Sequence, residues 1–384
     1  MIATEQARLG ERLRMARTAS GLTQEQAAES VGMARTTLVA IERGDREVRT
    51  EELVSLAKLY GVSVHSLLRP TAVKVEIVGQ FRRKQGRAAS TDADAIAALG
   101  ILHDMAAAYV ELERRLNKVS FIDYPPERRI GRGRIAQQAE EIAAELRSRL
   151  GLGLGPITDL EGLLELELGL RIFVRPLPPS VAGAYAYHPE LGACIVLDRR
   201  HPHSHRRWTL AHELAHFMTA RFEPSVLTSA APRKGPDDAF ADAFAAAFLM
   251  PSATVRRIVT EYAGEGGSLA ARHLILGARR LGVSLEAFTR RLEDLDLLAR
   301  GTYDVLKDRG LDEQAVQQVL GPEEETIGLE GTRLLLLAAE ASELGLYSEG
   351  QLVDMLALDR VELRRAIDAF SSMPALDAPL EARA

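Results

Sequence analysis

The chain holds a single cysteine, Cys194, in 384 residues. One thiol cannot build an internal disulfide framework or a cysteine-rich zinc module, so any metal must rest on histidine and carboxylate. Aromatic residues are few, at 5% with one tryptophan. No uninterrupted apolar run approaches the ~20 residues of a membrane helix, and the N-terminus lacks a basic segment followed by an apolar one. The expectation is a cytoplasmic protein with no membrane partner. Excess positive charge is also missing: the net charge is -6 and the pI about 5.9. That excludes a protein that coats nucleic acid over its whole surface, though not one basic domain. The charge is unevenly spread, net +4 over residues 1–150 and net -10 over 151–384.

What is present is the usual balance of a folded protein, 46% hydrophobic and 27% charged, in a length that fits two or three domains. Residues 5 to about 69 read as short helices. Thr23 with Gln26 reads as a helix start, and Gly32, Gly44 and Gly61 as stops. Leu9, Leu13, Ala16, Leu22, Ala27, Ala28, Val31, Leu38, Ile41, Leu53, Leu56, Ala57, Val62 and Leu67 recur at helical spacing, enough for one small core. Pro70 ends this block. Val73 to Val78 alternates like a strand, Arg82, Arg83, Lys84 and Arg87 form a basic cluster, and Asp92 to about Asn117 reads as a helix. Residues 120–134, with Pro125, Pro126, Gly131 and Gly133, read as a linker.

Helix is expected again over 135–150 and 160–168. Strands are expected at Arg171 to Arg175, Gly183 to Tyr187 and Ala193 to Leu197, then helices at Trp208 to Ala220 and Asp237 to Leu249, the second stopped by Pro251. Beyond Pro251 the chain is almost all helix. Leu352, Leu356, Leu358 and Leu363 are spaced loosely like a helix-turn-helix, with acidic neighbours that favour packing or a partner. No internal repeat stands out.

The sharpest chemical signal is His212-Glu213-Leu214-Ala215-His216. Two imidazoles at i and i+4 share a helix face and can grip one ion, with Glu213 beside them to take a proton from bound water. A third ligand is needed, and Asp237, Asp238 and Asp242 follow on the next helix. Asp238 and Asp242 are themselves i and i+4. His201, His203 and His205 precede the motif at a spacing that reads as surface, and Cys194 falls within a strand as a small buried residue.

The stretch Arg206 to His216, with Ala241-Asp242-Ala243-Phe244-Ala245 and Phe248-Leu249-Met250-Pro251, resembles the ImmA/IrrE family of zinc-dependent metallopeptidases over about residues 135–300. The resemblance implies a zincin-like α+β domain holding Zn2+ (Mn2+ is the alternative ion) on His212, His216 and an acid thirteen positions before Pro251. That acid is Asp238, where the family usually has Glu; Asp242 is the alternative ligand. It further implies peptide hydrolysis with Glu213 as base and then acid, directed at a transcriptional repressor, either this chain or a partner.

Residues 8–68 resemble the Cro/C1-type (XRE) helix-turn-helix domain through Leu22 to Ala28, Gly32, Leu38 and Ile41 to Gly44. By that resemblance a second helix enters the DNA major groove with Arg35, Thr36, Thr37 and Ala40 near base edges, Gln24 meets a phosphate, and Arg17 and Glu42 form a structural pair.

The expected fold is therefore mainly α with a small β-sheet. A five-helix DNA-binding domain spans 1–70, a strand and helix connector 71–134, the α+β peptidase-like domain 135–300, and a helical region 301–384. The expected function is an operator-binding regulator, a homodimer on double-stranded DNA, whose peptidase cleaves a repressor in a stress, prophage or defence response. The competing expectation is a non-proteolytic sensor that binds a ligand or partner in the old cleft, as the antitoxin-like regulator of a toxin or defence locus would.

Overall fold

The computed structural model describes residues 2–62, 64–68, 93–118, 122–228, 235–263, 269–312 and 332–371, with Val316 and Gly321. The strand expected at Val73 to Val78 and the Arg82, Arg83, Lys84 and Arg87 cluster lie outside the described residues. The chain divides into two compact units, one built mainly from residues 1–120 and 331–384, the other from 121–330. The fold is mainly helical with one mixed four-stranded sheet.

The first unit opens with α1 (Ile2–Ala19), α2 (Gln24–Ser30), α3 (Arg35–Arg43), α4 (Thr50–Tyr60) and α5 (Val64–Leu68). Leu13, Ala27, Ala28, Leu38, Ile41, Leu53, Leu56, Ala57, Tyr60 and Leu67 form their common core, all but Tyr60 expected from helical spacing, and Leu9, Ala16, Leu22, Val31 and Val62 pack against it partly buried. Thr23 caps α2 through a reciprocal bond pair: its hydroxyl accepts from the Gln26 N–H at 3.2 Å, and Gln26 Oε1 accepts from the Thr23 N–H at 2.9 Å. The crossing of α1 and α3 requires Gly10, where a Cβ would sit 2.3 Å from the Ile41 carbonyl oxygen.

The helix α6 (Ala93–Arg115) is long and apolar enough, by length and composition, to cross a membrane, although Asp94, His103 and Asp104 interrupt its apolar run. Its apolar side chains are covered within the unit, and Leu99, Leu102 and Ala106 are fully buried.

The second unit contains α7 (Ile135–Arg149), the short α8 (Leu160–Leu163) running into a π turn at Leu164–Leu168, β1 (Arg171–Arg175), β2 (Val181–His188) and β3 (Gly192–Asp198). Next come α9 (His203–Thr219), β4 (Ser225–Thr228), α10 (Pro236–Leu249), α11 (Ser252–Ala263), α12 (Ala271–Leu281), α13 (Leu285–Asp294) and α14 (Thr302–Asp308). Strand order is β1-β3-β2-β4, with β1 parallel to β3 and β2 antiparallel to β4. Burial of β1 and β3 over their whole length explains why RIFVR and ACIVL read as continuous rather than alternating patterns. Cys194 is buried in β3.

Helix α9 lies on this sheet at Gly183, where a Cβ would stand 2.5 Å from Thr209 Cγ2. α10 packs against both α9 and α7. The carbonyls left open at the C-terminal end of α10 are met by buried guanidinium groups: Arg147 Nη1 donates to Phe248 O at 2.6 Å, and Arg291 Nε to Met250 O at 3.1 Å. The stretch read as a linker is fastened down. Arg128 N donates to Met218 O at 2.7 Å, and Tyr124 meets Phe217 edge-on at 5.1 Å.

The first unit is completed by α15 (Thr332–Glu343), α16 (Glu349–Leu356) and α17 (Arg360–Ser371). α15 and α16 cover α6. The acids of α6 are tied to them: Glu113 accepts from Arg333, and Glu111 accepts from the Tyr347 hydroxyl at 2.9 Å. Those buried polar bonds suit a protein core and not lipid.

Candidate metal centre and helix-turn-helix face

Helix α9 is buried almost all round, although it carries His212, Glu213 and His216. Charged and polar groups are taken out of water only with partners, so their partners define what the helix is for. The 3.6-residue period brings the two imidazoles together: His212 Nε2 and His216 Nε2 face each other at 3.3 Å. Two nitrogens held at 2.0–2.1 Å by one tetrahedral ion lie about 3.3 Å apart, so the pair matches the spacing of zinc ligands.

The first turns of α10 supply the acids. Asp238 Oδ1 lies 3.7 Å from His216 Nε2, and His212, His216 and Asp238 offer ligand atoms that all fall within 4.8 Å of one another. Two imidazoles and one carboxylate fit a metal ion that keeps a position open for water. Asp242, one turn further on, takes a different place. Its Oδ1 lies 3.0 Å from His212 Nδ1, the ring nitrogen turned away from His216. A carboxylate there fixes the imidazole's tautomer and orientation. Asp237 is exposed and stands outside the cluster.

Glu213 is fully buried, and its Oε2 accepts a hydrogen bond from the Ser225 hydroxyl. Ser225 opens β4, the edge strand, and pairs in register with Tyr185 of β2. Neither β4 nor Ser225 was anticipated, since four residues after Pro224 give too short a pattern to read as a strand. The Tyr185 hydroxyl donates to Arg221 O at 2.7 Å, and burial raises its pKa well above the ordinary value. Arg221 in turn lies over the Phe217 ring at 4.5 Å and donates to Pro125 O, closing the turn between α9 and β4.

The other histidines do not converge on this centre. His203 and His205 belong to the first turn of α9, and the rings of His201 and His205 stack in parallel at 4.2 Å. Among the described residues, His212, His216 and Asp238 are the group of three that could hold an ion.

In the N-terminal helices, Arg17 and Glu42 form a two-pronged pair, Nε to Oε1 at 2.6 Å and Nη2 to Oε2 at 3.1 Å. Gln24 joins them, donating Nε2 to Glu42 Oε2 at 2.8 Å. One amide hydrogen of the residue expected at a phosphate is thus already held inside the domain. Along α3, Leu38, Ile41 and Glu42 face inward, Arg35 and Thr36 are exposed, and Thr37 and Ala40 are half-buried. Arg43 is exposed too. It shares a face with Thr36 and Ala40 at i, i+4 and i+7, a period legible in the sequence but passed over there.

Residues 8–69 match the helix-turn-helix domain family, and residues 166–293 match the IrrE N-terminal-like domain family. Control protein C.SmaI of Serratia marcescens is 40% identical over 68 residues, which cover 18% of this chain and 81% of that protein. The apo form of ComR from S. thermophilus aligns over 95% of this chain and 98% of its own length at 12% identity, with a TM-score of 0.16.

Proposed function

For a chain that belongs to the helix-turn-helix family and carries an IrrE N-terminal-like domain, we propose a transcriptional regulator that binds operator DNA as a homodimer and uses a zinc-dependent peptidase to cleave a repressor. The observation that carries the enzymatic half is the 3.3 Å approach of two buried imidazoles beside Asp238, with a buried carboxylate between them in sequence.

Each residue has a chemical task in this reading. Asp242 holds His212 through Nδ1 and leaves Nε2 for the metal. His216 and Asp238 complete the donor set. When bound, zinc polarises a water molecule and the scissile carbonyl. Glu213 accepts the proton from that water at its carboxylate and returns it to the leaving amine. Ser225 holds Glu213 through its Oε2 and so fixes the carboxylate. The substrate is a protein, either a separate repressor or this chain between residues 70 and 134.

On the DNA side, α3 presents Arg35 and Thr36, with Thr37 and Ala40 behind them, to base edges, while Gln24 backs them at the start of α2. The Arg17–Glu42 pair holds α1 against α3 and reads nothing.

A second reading, a sensor that no longer cuts, is favoured by one observation. Asp238 has a shorter arm than glutamate, and its Oδ1 stays 3.7 Å from His216 with a side chain 41% exposed. Metal analysis separates the two. Stoichiometric zinc that is lost in His212→Ala, with a cleavage fragment that disappears in Glu213→Gln, supports the peptidase. A protein that binds operator DNA but neither metal nor substrate supports the sensor.

A further inference from the structure

The C-terminal helices α16 and α17 repeat the helix-turn-helix of α2 and α3 at a constant offset of 325 residues. α2 starts at Gln24 and α16 at Glu349; α3 starts at Arg35 and α17 at Arg360. The caps agree. Thr23 has φ -74° and ψ 161°, and Ser348 has φ -75° and ψ 158°. Each closes the same reciprocal pair, Ser348 with Gln351 at 2.8 and 3.3 Å.

The turn agrees as well. Gly32 has φ +70° and its counterpart Ala357 φ +47°, and both turns are sealed by equivalent bonds, Met33 N to Ala28 O at 2.9 Å and Leu358 N to Val353 O at 3.2 Å. The second helices begin alike, with Leu38 N to Ala34 O at 3.2 Å and Leu363 N to Asp359 O at 3.0 Å. Inward positions match in role: Leu352, Leu363 and Ala366 are buried where Ala27, Leu38 and Ile41 are buried. Few residues are identical, which is why no repeat stands out in the sequence.

The outer face of α17 is the informative part. Arg360, Val361, Arg364 and Arg365 are all exposed, over the first two turns, where a recognition helix meets base edges. Arg360 occupies the place of Arg35. Of the neighbouring acids, Glu349 is bonded to Arg364 at 2.9 Å, and Asp359 is used at the helix start, accepting from Val361 N at 2.7 Å. These three arginines and one small apolar residue offer groups that suit guanine edges, phosphates and a thymine methyl, with Asp368 exposed at the position that Arg43 holds in α3.

We propose that α16 and α17 form a second DNA-reading helix-turn-helix, so that one chain recognises two separate blocks of duplex sequence. The assignment is independent of the metal centre and of whether that centre cleaves peptides.

The test selects binders from a random-sequence duplex pool with the full chain. The wild-type protein is expected to enrich duplexes with two separated blocks. Arg360→Ala/Arg364→Ala/Arg365→Ala keeps the block that Arg35→Ala loses, loses the other, and binds the wild-type duplex at least about tenfold more weakly. Its salt dependence is shallower by about one unit of slope per phosphate contact removed. The triple Lys variant retains the salt slope but loses base preference in the second block, which a merely structural role for these exposed residues would not produce. The proposal is overturned if the triple Ala variant selects the same two blocks with unchanged affinity, whether or not it loses a bound protein. It is equally overturned if wild type selects one block altered by Arg35→Ala alone, or selects none.

Discussion

Asp238 and Asp242 sit one turn apart on the same helix, and the geometry assigns them different consequences when removed. Asp238→Ala deletes one of three ligand atoms that lie within 4.8 Å of one another. Asp242→Ala deletes the acceptor 3.0 Å from His212 Nδ1. Loss of such an outer partner weakens metal binding by about 10- to 100-fold, or about 1.4–2.7 kcal/mol. Asp242 has a side chain 27% exposed, so water partly replaces it and the lower half of that range is expected. Asp242→Asn retains an oxygen that can accept from Nδ1–H and is expected to lose less than Asp242→Ala. Asp238 lies in the first turn of α10, where it adds about 0.3–1 kcal/mol of helix-dipole stabilisation, whereas Asp242 lies one turn beyond, so fold stability is measured alongside metal binding. The assay is zinc competition against a chromophoric chelator at fixed pH, with thermal unfolding as the folding control. Asp238→Ala is expected to fall well below Asp242→Ala. The reverse order, or equal and complete loss in both, would refute the assignment of ligand and orienting residue.

Ser225→Ala removes the hydroxyl that holds Glu213, and peptide cleavage is expected to slow by about tenfold with zinc content unchanged, whereas Ser225→Thr restores most of the rate; equal rates in all three proteins would rule out the contact's role. Arg17→Ala strips the two-pronged partner from a buried carboxylate and should cost the N-terminal domain about 3–5 kcal/mol in denaturant unfolding, a loss that a shift under 1 kcal/mol would contradict. Ala357→Gly relieves a left-handed alanine and is expected to stabilise by about 0.5–1 kcal/mol, while Gly32→Ala at the equivalent turn destabilises by a similar amount. Calorimetry that found the same sign for both would refute the equivalence of the two turns.

Much of this protein follows from local rules. The spacing of Leu13, Leu38, Ile41 and Leu56 marks a helical core because helix periodicity depends on nothing beyond the segment itself. Thr23 with Gln26, and the His212–His216 pair, are equally local, since partners three or four positions apart meet wherever a helix forms. The strands β1 and β3 are legible for a related reason: burial on both faces demands a continuous apolar run.

Contacts between distant segments were decided by the tertiary structure. Among Asp237, Asp238 and Asp242, composition offers three carboxylates, and only the docking of α10 on α9 separates ligand atom, orienting partner and bystander. Ser225 reaches Glu213 because a four-residue strand pairs with β2 across the sheet, a register no local pattern carries. Gln24 is drawn to Glu42 by the packing of α2 on α3. The second helix-turn-helix showed in the sequence only as the loose spacing of Leu352, Leu356, Leu358 and Leu363, because Ala357 gives no turn signal. Its left-handed backbone, at φ +47°, accompanies the burial of Leu352, Leu358 and Leu363 on either side of the turn. Side-chain chemistry and helix period are properties of the chain alone, whereas which carboxylate meets which imidazole depends on how far apart two packed helices come to rest.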